Sequence, residues 1–107
     1  MTSRRLLDPV SRILLQAADY MEEHGHCKQI LQNDRGEVCI NGALQAVMRQ
    51  QSVSRETFCN DWWMASIRIS QHIGADPVQW NNAPERKKEE VVAALRGAAF
   101  MEVVENK

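Results

Sequence analysis

The sequence predicts an all-α domain: about four helices packed around a central tryptophan-rich helix, with a short hairpin or irregular excursion after the first. Three observations lead there. Apolar residues recur at the 3.6-residue helical period in about four stretches. Residues that cap helices stand at the edges of those stretches: Asp8, Asn41, Ser54 and Asn82 at the starts, Gly25 and Gly74 at two of the ends. Residues 26–40 lack a clear helical pattern.

Taken in order, residues 1–7 form a loose arm carrying Arg4 and Arg5. Asp8-Pro9 opens the first helix, with Asp8 as N-cap and Pro9 at the first helical position. Val10, Ile13, Leu14, Ala17 and Met21 keep one face apolar, and Gly25 ends it. In the 26–40 excursion, Asn33-Asp34-Arg35-Gly36 is a strong turn sequence between two short apolar runs. Asn41 is the expected cap of a second helix over 42–51, with Ile40, Ala43, Leu44 and Val47 inward. Gly42 near its start implies close backbone packing, with Trp80 as the expected neighbour.

The third helix, 54–74, is the one the chain is expected to be built around. Ser54 caps it, Val53 and Phe58 stand at the spacing of a hydrophobic staple, and Gly74 suits its end. At about 100° per residue, Phe58, Trp62, Ala65, Ile69 and Ile73 share an arc about 80° wide. Trp63 and Ile67 fall on a second flank, with Cys59 between; Asn60, Asp61, Arg68, Gln71 and His72 occupy the rest. A helix apolar on two flanks is either covered on both by its own chain or leaves one for a partner. After it, Asp76-Pro77 starts a single turn, and Trp80 plugs into the core. Asn82 and Glu85 suggest a capping box for a last helix over 83–103, with Val91, Val92, Leu95, Ala98 and Ala99 inward; a tail over 104–107 follows.

The 107 residues favour a single domain, 1–107, long enough to bury a core without disulfides or metal. Hydrophobic content of 44% and charged content of 25% are those of an ordinary folded protein. A net charge of −1 provides no global field for nucleic acid or anionic membrane. An odd cysteine count, three, with no apolar segment of signal-peptide type, points to reduced thiols in a soluble cytoplasmic protein. No run approaches a membrane span.

Two stretches carry a resemblance. Gly36-Glu37-Val38-Cys39-Ile40-Asn41-Gly42-Ala43-Leu44 is similar to a Cys-Leu-x-Gly-Ala-Leu stretch. Trp80-Asn81-Asn82, followed by Arg86-Lys87 and Glu89-Glu90-Val91, is similar to Trp-Asn-Asp, then Arg-Thr, then Glu-Val. Over residues 10 to about 100 the chain resembles an uncharacterised family of short helical proteins from actinobacteria and their phages. Asn82 stands where that family tends to have Asp, and Lys87 where it has Thr. The resemblance implies a helical fold and no catalytic residues. A phage origin would favour a protein that binds a host protein.

Several residue sets could carry chemistry. His24, His26 and Cys27, with Cys39 downstream, offer two nitrogen and two sulfur donors, but not at the spacing of common zinc modules. Cys27, Cys39 or Cys59 with a histidine could form a nucleophile pair, although small buried hydrophobes are the commoner role for such thiols. There is no Gly-rich phosphate loop and no nucleophile elbow. Glu22-Glu23 and Glu89-Glu90 are adjacent and point apart on a helix, so they make poor acid–base pairs. The second and third helices have helix-turn-helix order, and Arg86, Lys87, Lys88 and Arg96 form a small basic area. The second of those helices presents Trp63, Met64 and Ile67 where a recognition helix presents polar side chains. The expectation is therefore a non-enzymatic module without a cofactor. It binds a protein partner, or a second copy of itself, through an apolar patch of Trp63, Ile67 and Cys59. DNA binding through Arg86, Lys87 and Lys88 is the alternative, and a metal-dependent site at His24, His26 and Cys27 the third.

Overall fold

The computed structural model describes residues 8–100 as five helices joined by one irregular loop: α1 (Pro9–His24), α2 (Ile40–Met48), α3 (Arg55–Ile73), α4 (Pro77–Asn82) and α5 (Lys88–Ala99). The expected tails, 1–7 and 104–107, lie outside the described residues. Most helix ends follow local chemistry. The Asp8 carboxylate accepts from Ser11 N–H at 2.8 Å, Ser54 Oγ from Thr57 N–H at 3.1 Å, and Asp76 from Gln79 N–H at 3.0 Å. Gly74 closes α3 in the left-handed region at φ 71°, where a side chain would be strained.

Two helices have other bounds than expected: α2 runs Ile40–Met48 where 42–51 was expected, and α5 runs Lys88–Ala99 where 83–103 was expected. The cap of α2 is Cys39, whose Sγ accepts from Gly42 N–H at 3.3 Å; Asn41 sits inside the first turn. The helix starts early because a side chain distant in sequence receives its first free N–H: Ile40 donates to Asn81 Oδ1 at 3.0 Å. The last helix starts at Lys88, not at 83, and ends at Ala99. Pro84 holds the preceding Ala83 extended, at ψ 137°, so no helix can pass through it. Glu90 reaches back instead to Lys87 N–H at 2.9 Å.

The centre is α1, not the Trp-rich α3. It packs against α5, α2 and α3, and buries Val10, Ser11, Ile13, Leu14, Ala17, Ala18 and Met21. Small residues feature on both helices of the most extensive packing, α1 against α5: Ala17 and Ala18 of α1, and Ala94, Ala98 and Ala99 of α5, are all buried. Bulky tryptophans would hold helices further apart. The 25–39 loop closes one end of the core through Val38, fully buried, which bridges His26 in parallel and Gln32 in antiparallel fashion. Its tip is the expected turn, with Asn33 Oδ1 accepting from Arg35 and Glu37 N–H, both at 3.0 Å. Gly42 does mark a close backbone approach, but the neighbour is the Leu31 carbonyl, which a Cβ would overlap, and not Trp80.

One polar contact ties three helices together. Arg68, which the helical period puts in the polar sector of α3 outside both apolar flanks, is buried. Its Nη2 donates to Asp8 Oδ2 at 2.6 Å and its Nη1 to Ser11 Oγ at 2.9 Å; Ser11 Oγ in turn donates to Ala99 O at 2.8 Å. Arg68 Nε is buried without a hydrogen-bond partner. The Arg68 guanidinium is the largest influence on Asp8, and with the Ser11 bonds it outweighs burial and draws the carboxyl down to about 2.

Two outcomes follow from these contacts. Gly42→Ala should lose about 3 kcal/mol in urea unfolding, since backbone and not a flexible side chain blocks the new methyl; an unchanged midpoint would show that the approach is looser in solution. Asp8 is 3.8 when unfolded and about 2 when folded, so its contribution is complete above 3.8 and disappears as pH falls toward 2. Asp8→Asn keeps the cap but removes the charge. Its stability should vary less between those two pH values than that of the parent chain, measured by thermal unfolding across pH.

Candidate functional site

The Arg68 contact holds α3 by its C-terminal half. Ala65, Arg68 and Ile69 are its buried residues, while none of residues 55–64 is buried. Phe58 and Trp62 lean against the core from one side and remain half-buried. Trp63 is 64% exposed, and Val53 and Met64 are each 43% exposed. Cys59 is exposed; Ile67 is half-buried. Of the expected patch, then, Trp63 and Cys59 face solvent, and Ile67 lies at its edge.

Beside Trp63 runs a shallow depression of about 230 Å³, lined by Gln45 of α2 and by Phe58, Cys59, Trp62 and Trp63 of α3. Its walls are almost wholly apolar. Phe58 and Trp62 lie close together on the helical period and Trp63 stands about 100° further round, so the depression runs between the two flanks of α3, with Gln45 of α2 at its border.

The other candidates are arranged differently. The guanidinium of Arg86 lies 3.9 Å over the Trp80 ring, with Nε donating to Trp80 O at 2.8 Å and Nη1 3.6 Å from Glu90. Arg96 pairs with Asp19 at 3.2 Å and Glu22 at 3.5 Å. Two cations of the basic area thus serve the fold, leaving Lys87 exposed and Lys88 half-buried. The supposed metal ligands diverge. The His24 ring packs on Tyr20, with centroids 4.1 Å apart, while His26 turns to Asn81. Cys27 Sγ donates to Glu37 O at 3.2 Å, and Cys39 Sγ caps α2. Among the described residues, no three His, Cys, Asp or Glu side chains are placed to hold a metal ion.

A buried amide is the polar centre that sequence reasoning missed. Asn81 is 1% exposed. Its Oδ1 accepts from Ile40 N–H at 3.0 Å and meets His26 Nε2 at 2.9 Å; its Nδ2 donates to Cys27 O and Asn82 Oδ1. Because Ile40 N–H can only donate, the shared atom is the oxygen, and His26 Nε2 carries the proton. Asn82 Oδ1 takes Gln29 N–H at 2.8 Å, fixing Gln29 at φ 71°. These contacts pin the 25–39 loop onto α4. Over them lies a second apolar hollow of about 150 Å³, lined in part by Ile30, Leu31 and Val78, each exposed. The signal for this hollow was slight: an Ile-Leu pair in a stretch with no helical period.

Known proteins add one match. A model described as a family of unknown function, DUF6197, covers residues 6–100, the span that holds both patches and the Asn81 centre. No curated protein and no solved structure matches the chain. No helix among the described residues is long and apolar enough to cross a membrane.

Burial, the largest influence, pushes the His26 imidazole below its usual 6.5; Lys28 adds to this, against the Asn81 bond and Glu37. The unfolded chain therefore binds this proton more readily, and stability should fall as pH drops below 6.5. His26→Gln, which can still donate to Asn81, should flatten that step in chemical denaturation at pH values either side of 6.5; an identical slope in the variant would assign the step to another group.

Proposed function

The chain belongs to the DUF6197 family, whose function is unknown, and we propose that it is a non-enzymatic module that binds a protein partner through the exposed half of α3. The supporting observation is the 64% exposure of Trp63 beside an apolar depression floored by Phe58 and Trp62. A large aromatic in water loses favourable burial and gains it on association, which is why tryptophan is over-represented among interface anchors. The partner inserts an apolar group into the depression against Trp63, while Arg55, Glu56 and Asn60, all exposed, supply a polar rim.

A second copy of the chain is one such partner. A host protein is another, and it accords with the actinobacterial or phage setting and the cytoplasmic location that belong to the same proposal. DNA binding through Lys87 and Lys88 has less support, because Arg86 and Arg96 are committed to Trp80 and to acidic side chains. A metal-dependent role at His24, His26 and Cys27 has no converging ligands behind it among the described residues.

The test separates stability from association. Trp63→Ala should cost no more than about 1 kcal/mol in urea unfolding, as for a surface residue. It should also abolish capture of the partner from the native host, or weaken self-association in sedimentation by about tenfold or more. A loss of about 3–5 kcal/mol, as for a core aromatic, or capture of the same proteins by both baits, would refute the proposal.

A further inference from the structure

We propose that Cys27 and Cys39 form a dithiol site that a hydroperoxide closes into an intramolecular disulfide. The argument is one of register. His26 and Val38 form a parallel bridge, held by Val38 N–H to Gly25 O and Cys27 N–H to Val38 O, both at 3.0 Å. The next pair along is Cys27 and Cys39. Successive side chains alternate faces, so these two share the face opposite His26 and Val38. Neighbouring strands lie about 4.8 Å apart, inside the Cα separation of about 4.4–6.8 Å that a disulfide spans. Cys27 is half-buried, which admits a small oxidant; Cys39 is 8% exposed, as suits a resolving thiol. Cys59, the third thiol, stands apart on α3.

The step balances. The Cys27 thiolate attacks one peroxide oxygen; the O–O bond breaks, an alcohol or water leaves, and Cys27 becomes a sulfenic acid. The Cys39 thiolate then attacks that sulfur, forming the S–S bond and releasing water. Two thiols are oxidised and one hydroperoxide is reduced. Burial, with a smaller effect from Cys39, raises the Cys27 thiol, so the reaction is slow near neutrality and quickens as pH rises. Closure withdraws Cys39 Sγ from Gly42 N–H and Cys27 Sγ from the Glu37 carbonyl. The start of the loop becomes tied to the cap of α2, beneath the hollow walled by Ile30 and Leu31.

Hydrogen peroxide applied to the Cys59→Ser chain tests this, with acid quenching, blocking of free thiols, intact mass and peptide mapping. The expected product is a monomer lighter by ~2 Da, the two hydrogens lost, with the peptides of Cys27 and Cys39 joined. Its rate should rise about tenfold per pH unit below the thiol range. Cys27→Ser and Cys39→Ser, the second retaining a good helix cap, should give none of it. Should either variant fail to fold, the peptide map of the Cys59→Ser chain decides alone. Sulfinic acid on Cys27 without a disulfide would overturn the proposal. So would two unreacted thiols under conditions that fully oxidise Cys59 of the parent chain.

Discussion

The ion pair between Arg68 and Asp8, shared with Ser11, decides how α3 sits on the molecule. A buried guanidinium is costly unless its donors are met, and here two of the three nitrogens find partners, on Asp8, the N-cap of α1, and on Ser11 in its first turn. Ser11 carries the contact on to the Ala99 carbonyl, so the ends of α1 and α5 and the C-terminal half of α3 are held as one unit. Ala65 and Ile69 flank Arg68 and complete that attachment. N-terminal to them on α3, Phe58 and Trp62 reach the core only in part, and Trp63 is left in solvent. The exposure of Trp63 is thus a consequence of where the helix is anchored, and not of the tryptophan itself.

At the other end, Asn81 does comparable work with neutral groups. The loop after α1 has little regular structure, and two isolated bridges alone would not hold it. One buried amide meets the first N–H of α2, a loop carbonyl and a histidine ring, and its neighbour Asn82 fixes the strained Gln29. Removing such an amide leaves several buried partners unpaired, a larger loss than any one bond contributes. The short helix α4 exists largely to deliver these two side chains, with Arg86 closing it from behind Trp80. The Trp-Asn-Asn stretch, whose Asn81 had no role assigned from sequence, therefore has a structural one: it joins the loop to the bundle.

How much was legible depended on the range of the interaction. Ser54, Asp8 and Asp76 cap their own helices within three residues, so each could be read directly. The inward faces of α1 and α5 followed the helical period, and every residue expected there is buried. Errors arose wherever a distant group intervened. Asn41 lost the cap of α2 because Asn81 supplied the first acceptor. Asn82 was drawn to Gln29, and Pro84 blocked the start expected for α5. Arg68 falls in the polar sector of α3 and yet is buried, because periodicity gives a direction on a helix and says nothing of what lies in that direction.

By itself, then, the sequence determined the all-α class, the helical segments to within about five residues, and the two-flanked character of α3. Those depend on local propensity, capping and period, which act over a few residues. Tertiary structure decided that α1 is the centre, because its apolar face is covered by α5, α2 and α3 together, while the tryptophans of α3 stay partly covered or exposed. It decided also which flank of α3 is covered. That depends on Arg68 meeting Asp8 across 60 residues of chain, a pairing no local pattern encodes.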